Sequence, residues 1–119
     1  MQFIDLPKQQ TLIRKKIEFK INQVLNHGRY IMGPEVLELE KKLASYSNIN
    51  NCISCSSGTD ALLIALMSIG IGPGDAVLTT TFTYIATAEV IALLKATPIF
   101  IDINKDTYNI DPYKIEPAI

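Results

Sequence analysis

Past residue 50, short apolar runs alternate with helix-spaced segments across tight connections, and that alternation leaves few folds open. Residues 51–54 read as a strand, and 59–69 as a helix with Ala61, Leu62, Ala65, Leu66 and Ile69 facing inward. A second strand over 76–79, a second helix over 84–94 and a third strand over 97–103 follow. Gly70, Gly72, Pro73, Gly74 and Asp75 supply a sharp turn. Pro98 falls at the start of its strand, where a missing N–H is tolerated. Strands and helices in this order, joined by short links, build a parallel sheet with right-handed crossovers.

Two helices precede this series. Leu12, Ile13, Ile17, Ile21, Val24 and Leu25 recur at helical spacing over 8–26, interleaved with Arg14, Lys15, Lys16 and Lys20, and Asn26-His27-Gly28 is a stop. The basic residues form a solvated face. Gly33-Pro34-Glu35 starts a second helix, with proline where its missing N–H is harmless and glutamate where the dipole favours it. Val36, Leu37, Leu39, Leu43 and Tyr46 form its buried stripe. A last helical turn begins at Pro112. The chain therefore divides into a helical segment, residues 1–50, and an incomplete βαβαβ portion, residues 51–119.

A chain of 119 residues holds one domain at most. Its 11 basic and 12 acidic residues leave no electrostatic footprint for nucleic acid or an anionic membrane. No apolar run can span a bilayer, and Asp5 and Lys8 interrupt any secretory core near the start, so a cytoplasmic location is expected. Cys52 and Cys55 form a C-x-x-C. A redox pair needs its first thiol at a helix N-terminus, and a zinc site needs further ligands where only His27 is offered. The pair reads as small, buried, reduced thiols, with no metal.

Ligands of parallel sheets bind outside the carboxyl ends of the strands. Two loops lie there, 54–59 and 79–84, both rich in hydroxyls and open to the same sheet edge. In the first, Ser54-Cys55-Ser56-Ser57-Gly58-Thr59-Asp60-Ala61-Leu62 runs from strand into helix. The opening N–H groups of a helix lack intrahelical partners and carry partial positive charge, so this turn is a socket for a phosphate. The Gly58 and Thr59 amides and the Ser57 and Thr59 hydroxyls would hold it. The plainer alternative is an ordinary turn capped by serine. Asp60 suits a helix start but repels an anion, and should point away.

Several segments occur together in one order: Phe3-Ile4-Asp5-Leu6, Gly28-Arg29-Tyr30-Ile31-Met32-Gly33-Pro34-Glu35-Val36, Ser57-Gly58-Thr59-Asp60-Ala61-Leu62, Gly72-Pro73-Gly74-Asp75, Phe82-Thr83-Tyr84-Ile85-Ala86-Thr87-Ala88-Glu89, and Asp102-Ile103 through Thr107-Tyr108-Asn109-Ile110-Asp111-Pro112. In this the chain resembles the DegT/DnrJ/EryC/StrS sugar aminotransferases, and most closely their branch acting on UDP-3-keto sugars in O-antigen biosynthesis. The resemblance implies an α/β fold, the N-terminal part of the large domain of a fold-type-I PLP-dependent transferase: a parallel-type three-layer α/β sheet preceded by two helices. It implies pyridoxal 5′-phosphate as cofactor, a nucleotide-linked keto sugar as substrate, glutamate as amino donor, and a homodimer or higher oligomer in surface-polysaccharide synthesis.

By the same resemblance Ser57, Gly58 and Thr59 hold the cofactor phosphate and Tyr84 lies over the pyridine ring, where an aromatic face excludes water. The alternative for Tyr84 is a core aromatic at a helix start. Phe82 serves as packing or pocket wall, and Tyr30 and Ile31 line the sugar side. Glu89 and Asp102 are structural. A transaminase also needs a Schiff-base lysine and an acid on the pyridine nitrogen. In the family both follow beyond the position of Ile119, so no catalytic residue is assigned within 1–119. The chain is expected to be an N-terminal portion, inactive alone. The competing reading is a truncated non-catalytic homologue, a phosphate-binding or interaction module.

Overall fold

The structure, a computed structural model, describes residues 3–119. It divides into two compact units, Met1–Ser54 and Cys55–Ile119.

The first unit carries α1 (Leu6–His27) and α2 (Pro34–Tyr46). Helix α1 starts before the expected residue 8, because the Asp5 carboxylate accepts from the Lys8 N–H at 3.0 Å and Pro7 sits in the first turn. It ends at Gly28, whose left-handed φ of 65° turns its N–H back to the Val24 carbonyl at 2.9 Å. Helix α2 starts at Pro34 as expected. Its apolar stripe is not buried: Leu37, Leu39, Leu43 and Tyr46 are exposed, Tyr46 at 90%, and only Ala44 is buried. Little apolar surface is laid against either helix within this unit, and α1 has no buried residue at all.

Residues 51–54 form no strand. The Ser54 N–H and hydroxyl both donate to the Glu40 carboxylate, each at 2.8 Å, so a donor meant for a sheet neighbour goes to α2 instead. The expected third strand of the sheet is therefore missing from the observed ladder. The thiols also differ from expectation. Cys52 is half-buried and Cys55 exposed, its sulfur within 3.3 Å of the Ser57 carbonyl.

The second unit runs α3 (Gly58–Ser68), β1 (Ala76–Thr80), α4 (Ala86–Leu93), β2 (Thr97–Ile101) and two 3-10 turns, Pro112–Lys114 and Glu116–Ala118. Strands β1 and β2 pair in parallel, Ala76 opposite Thr97 through Thr80 opposite Ile101. Helix α4 starts later than expected, leaving residues 81–85 as a loop above β1. Strand β2 stops at Ile101, and Ile103 makes a single antiparallel bridge to Ile110. Between them the Asn104 side chain accepts from the Asp106 and Thr107 N–H groups and turns the chain back.

Val90, Ile91 and Ala96 are buried at the centre of this unit, with Leu63, Leu66, Ile71 and Val77 packed around them. Leu63 and Leu66, rather than the expected Leu62 and Ile69, thus form the inward face of α3; Ile69 is 72% exposed. Alternative stripes on a helix differ by one residue, and packing against α4 decides between them. Among the described residues no helix is long and apolar enough to cross a membrane.

Candidate functional site

Helix α3 and strand β1 are joined by a turn in which the Gly72 N–H donates to the Asp75 carboxylate at 2.8 Å and the Asp75 N–H returns to the Gly72 carbonyl at 3.1 Å. Leu62 in the N-terminal half of α3, Thr79 near the end of β1 and Thr87 of the first turn of α4 line one shallow apolar gap, which sets the early part of α3 beside the end of β1. The loop 81–85 opens at that same end.

Ser57 is the N-cap of α3, and its relation to Asp60 is reciprocal. The Ser57 oxygen accepts from the Asp60 N–H at 3.1 Å, while its hydroxyl donates to the Asp60 carboxylate at 2.9 Å. This is a capping box with aspartate in the glutamate position. Ser56 also donates its hydroxyl to that carboxylate. The Asp60 carboxyl is held below the usual range, first by Ser56 and then by Ser57.

That arrangement leaves a defined set of donors. Among the described residues, neither the Gly58 nor the Thr59 N–H has an acceptor, and the Thr59 hydroxyl is uncommitted. The donor capacity of Ser57 is already used on Asp60. The acid that would repel an anion is turned onto two serine hydroxyls. Two unpaired amides and a hydroxyl at the positive end of a helix match the acceptor oxygens of a phosphate monoester.

Asp60 also sets a pH dependence. Its folded-state pKa is depressed, so its contribution to the cap is complete above the unfolded value of about 3.9 and is lost as pH falls through the lower folded value. Protection of the Asp60 and Ala61 amides, which Ser57 caps, should therefore hold against hydrogen exchange to about pH 4 and fall below it. Asp60→Asn, which cannot ionise, should flatten that profile.

Tyr84 stands in the loop 81–85, 78% exposed, its carbonyl accepting from the Thr87 N–H at 3.1 Å. It is not a core aromatic. Phe82 instead packs on Tyr108, with ring centroids 5.6 Å apart and planes tilted by 39°. Tyr108 carries a left-handed φ of 59°, an uncommon conformation for an aromatic residue, and it joins the turn after β2 to the loop after β1. Sequence reading missed this pairing because nothing in the spacing of 82 and 108 announces it. Asp102 bonds Lys114 at 2.8 Å, and its carboxyl is held low chiefly by that lysine.

Tyr30 and Ile31 belong to the first unit, in the connection between α1 and α2, and both are exposed. A link that the sequence did not announce lies beside them. His27 Nε2 meets the Glu35 carboxylate at 3.1 Å, and the Arg29 N–H donates to His27 Nδ1 at 3.0 Å.

The sequence pattern of the DegT/DnrJ/EryC1/StrS aminotransferase family matches residues 11–119. The chain is 55% identical over its whole length to a UDP-2-acetamido-2-deoxy-3-oxo-D-glucuronate aminotransferase of Pseudomonas aeruginosa, covering 33% of that protein. It superposes on a DegT DnrJ EryC1 StrS aminotransferase of Brucella abortus with a TM-score of 0.90 and 49% identity, covering 98% of this chain and 31% of the other. It also superposes on the ntda protein of Bacillus subtilis, crystallised with bound cofactor PMP, with a TM-score of 0.85 and 38% identity over 88% of this chain and 24% of that one. The chain thus spans about a third or less of the length of these relatives.

Proposed function

The chain belongs to the DegT/DnrJ/EryC1/StrS aminotransferase family, with the α/β fold of the N-terminal part of a fold-type-I large domain, and from this we propose that it serves PLP-dependent amination of a nucleotide-linked 3-keto sugar. The observation that carries the proposal is the pair of free amides at Gly58 and Thr59, set at the strand-end edge of a chain so similar to a 3-oxo-sugar aminotransferase.

In this reading the Gly58 and Thr59 amides and the Thr59 hydroxyl bind the cofactor phosphate, and Ser57 holds the turn that aims them. Pyridoxal phosphate, when bound, supplies the electron sink that lets an amino group pass between carbon skeletons. Tyr84 lays its ring on the pyridine face, fixes its tilt and keeps water off it. Ser56 and Ser57 keep the Asp60 carboxylate away from the anion. Tyr30 and Ile31 line the sugar side. No residue of 1–119 is assigned the Schiff-base lysine or the acid at the pyridine nitrogen. Residues 1–50 are the helical lead-in and 51–119 part of the cofactor-binding domain. The substrate is a UDP-linked 2-acetamido-3-keto uronic acid destined for O-antigen, the donor glutamate, and the enzyme a cytoplasmic homodimer or higher oligomer. The exposed apolar rows of α1 and α2 support that last point, since such rows call for further protein.

A chimera tests the substrate. Residues 1–119 replace the matching third of the Pseudomonas aeruginosa enzyme, and formation of the 3-amino sugar from the 3-oxo sugar and glutamate is followed. Activity within about tenfold of the parent is expected, since no transition-state contact is removed. A chimera that folds and binds pyridoxal phosphate yet leaves the 3-oxo sugar unchanged would refute the substrate assignment.

A further inference from the structure

The connection over residues 28–33 is short and irregular, exposed over 28–32 and buried at Gly33, and it is tied at both ends. Gly28 closes α1 with a φ of 65°, and Met32 also has a positive φ, 49°. At Gly33 the carbonyl of Arg29 approaches so closely that a Cβ would collide with it, so the chain is folded back on itself there. Tyr30, Ile31 and Met32, all exposed, are carried on this tight bend. Exposed apolar side chains on so irregular a segment stay in place only if the backbone beneath them is fixed.

Among the described residues, His27 is the one side chain bonded on both sides of this bend. The Arg29 N–H points at Nδ1, so Nδ1 must be a bare acceptor; the ring proton is then on Nε2 and donates to Glu35 at the start of α2. The tautomer is forced by the geometry. The geometry points to His27 as a positioning residue, an imidazole clasp that joins the end of α1 to the start of α2 and so fixes the bend presenting Tyr30 and Ile31. The proposal rests on the reading of Tyr30 and Ile31 as the sugar side of the site.

Charged groups from both helices and the bend surround the clasp. Arg29 lies within the bend, Lys20 on α1, and Glu35, Glu38 and Lys42 on α2. Glu35 is held below the usual carboxylate range, first by the hydrogen bond from His27. A second ring proton would strengthen the pair with Glu35 but would occupy Nδ1 and expel the Arg29 N–H.

Nitrogen-15 NMR of the chain reads the tautomer directly, and the proposal requires the neutral ring to be the Nε2–H form. Amide exchange at Arg29 gives the second readout. His27→Gln, which lacks an acceptor at the Nδ1 position, should speed exchange at Arg29 about tenfold, whereas His27→Asn, whose oxygen falls near Nδ1, should restore most of the protection. An Nδ1–H tautomer, or equal exchange in both variants and the native chain, overturns the clasp. In the chimera, His27→Gln should raise KM for the 3-oxo sugar about tenfold with kcat unchanged. Lost protection at Arg29 with unaltered KM would retain the clasp and dismiss Tyr30 and Ile31 as sugar contacts.

Discussion

Gly58→Pro is expected to weaken binding of pyridoxal phosphate by about ten- to hundredfold while leaving α3 intact, a separation few substitutions can give. Gly58 is the first residue of the helix, where proline is favoured because the N–H has no intrahelical role. Its preceding residue, Ser57, is extended at φ −157° and ψ 167°, the conformation a following proline demands. A side chain at position 58 meets nothing within 4 Å. The substitution thus removes one amide donor and little else. A hydrogen bond to a charged acceptor contributes about 1.5–3 kcal/mol, which is the expected loss in affinity. Helix stability should rise slightly, since glycine gives up its unfolded-state freedom. Titration of the chimera with pyridoxal phosphate, beside thermal melting without it, measures both effects. Unchanged affinity with a melting temperature no lower than that of the native chain would remove Gly58 from the phosphate contacts, and with it the main physical support for a cofactor here.

How much of this was legible beforehand depends on how local the cause was. The stops and starts of α2 and α3 and the parallel pairing of β1 with β2 follow from punctuation by glycine and proline and from apolar periodicity, both written in the chain. The donor pair at 58 and 59 was equally visible, because orphan amides are a property of any helix start. The failures concern partners. Asp5 caps α1 from a position that the apolar spacing, beginning later, did not flag. Residues 51–54 have a strand's composition, but Ser54 finds Glu40, fourteen residues away, instead of a neighbouring strand. The stripe on α2 was read as buried because its spacing is right for burial, yet burial needs a second surface, and spacing says nothing of whether one is present. Leu63 supplanted Leu62 for the same reason, since the choice belongs to α4. At the site, Ser57 looked like a free donor, and only the reciprocal bond from Asp60 shows its hydroxyl committed.

Ile91→Ala should be the most damaging single truncation for stability. Ile91 is 2% exposed and adjoins Val90 in the centre of the second unit. Removing a fully buried branched side chain loses its transfer free energy and leaves a cavity, together about 2–5 kcal/mol. That is a large share of the roughly 5–15 kcal/mol that holds a whole domain together. The surrounding shell is thin: Leu63, Leu66, Ile71 and Val77 are only partly buried, so few neighbours can shift to refill the space. The consequence reaches the site through α4, whose first-turn N–H groups donate to the carbonyls of Tyr84 and Ile85. When α4 unfolds, the loop bearing Tyr84 is lost with it. Urea denaturation should show a midpoint lowered by about 1 M or more, with slopes near 1–3 kcal/mol/M. Leu12→Ala on α1, at a position 82% exposed, should change stability by no more than about 0.5 kcal/mol and so barely move the midpoint, because no packed surface within the chain is lost and alanine suits a helix. Ligand affinity of the folded fraction should survive Ile91→Ala, so that apparent affinity falls only in proportion to the population unfolded. Equal midpoint shifts for the two variants would show that the centre of the second unit is not where its stability lies.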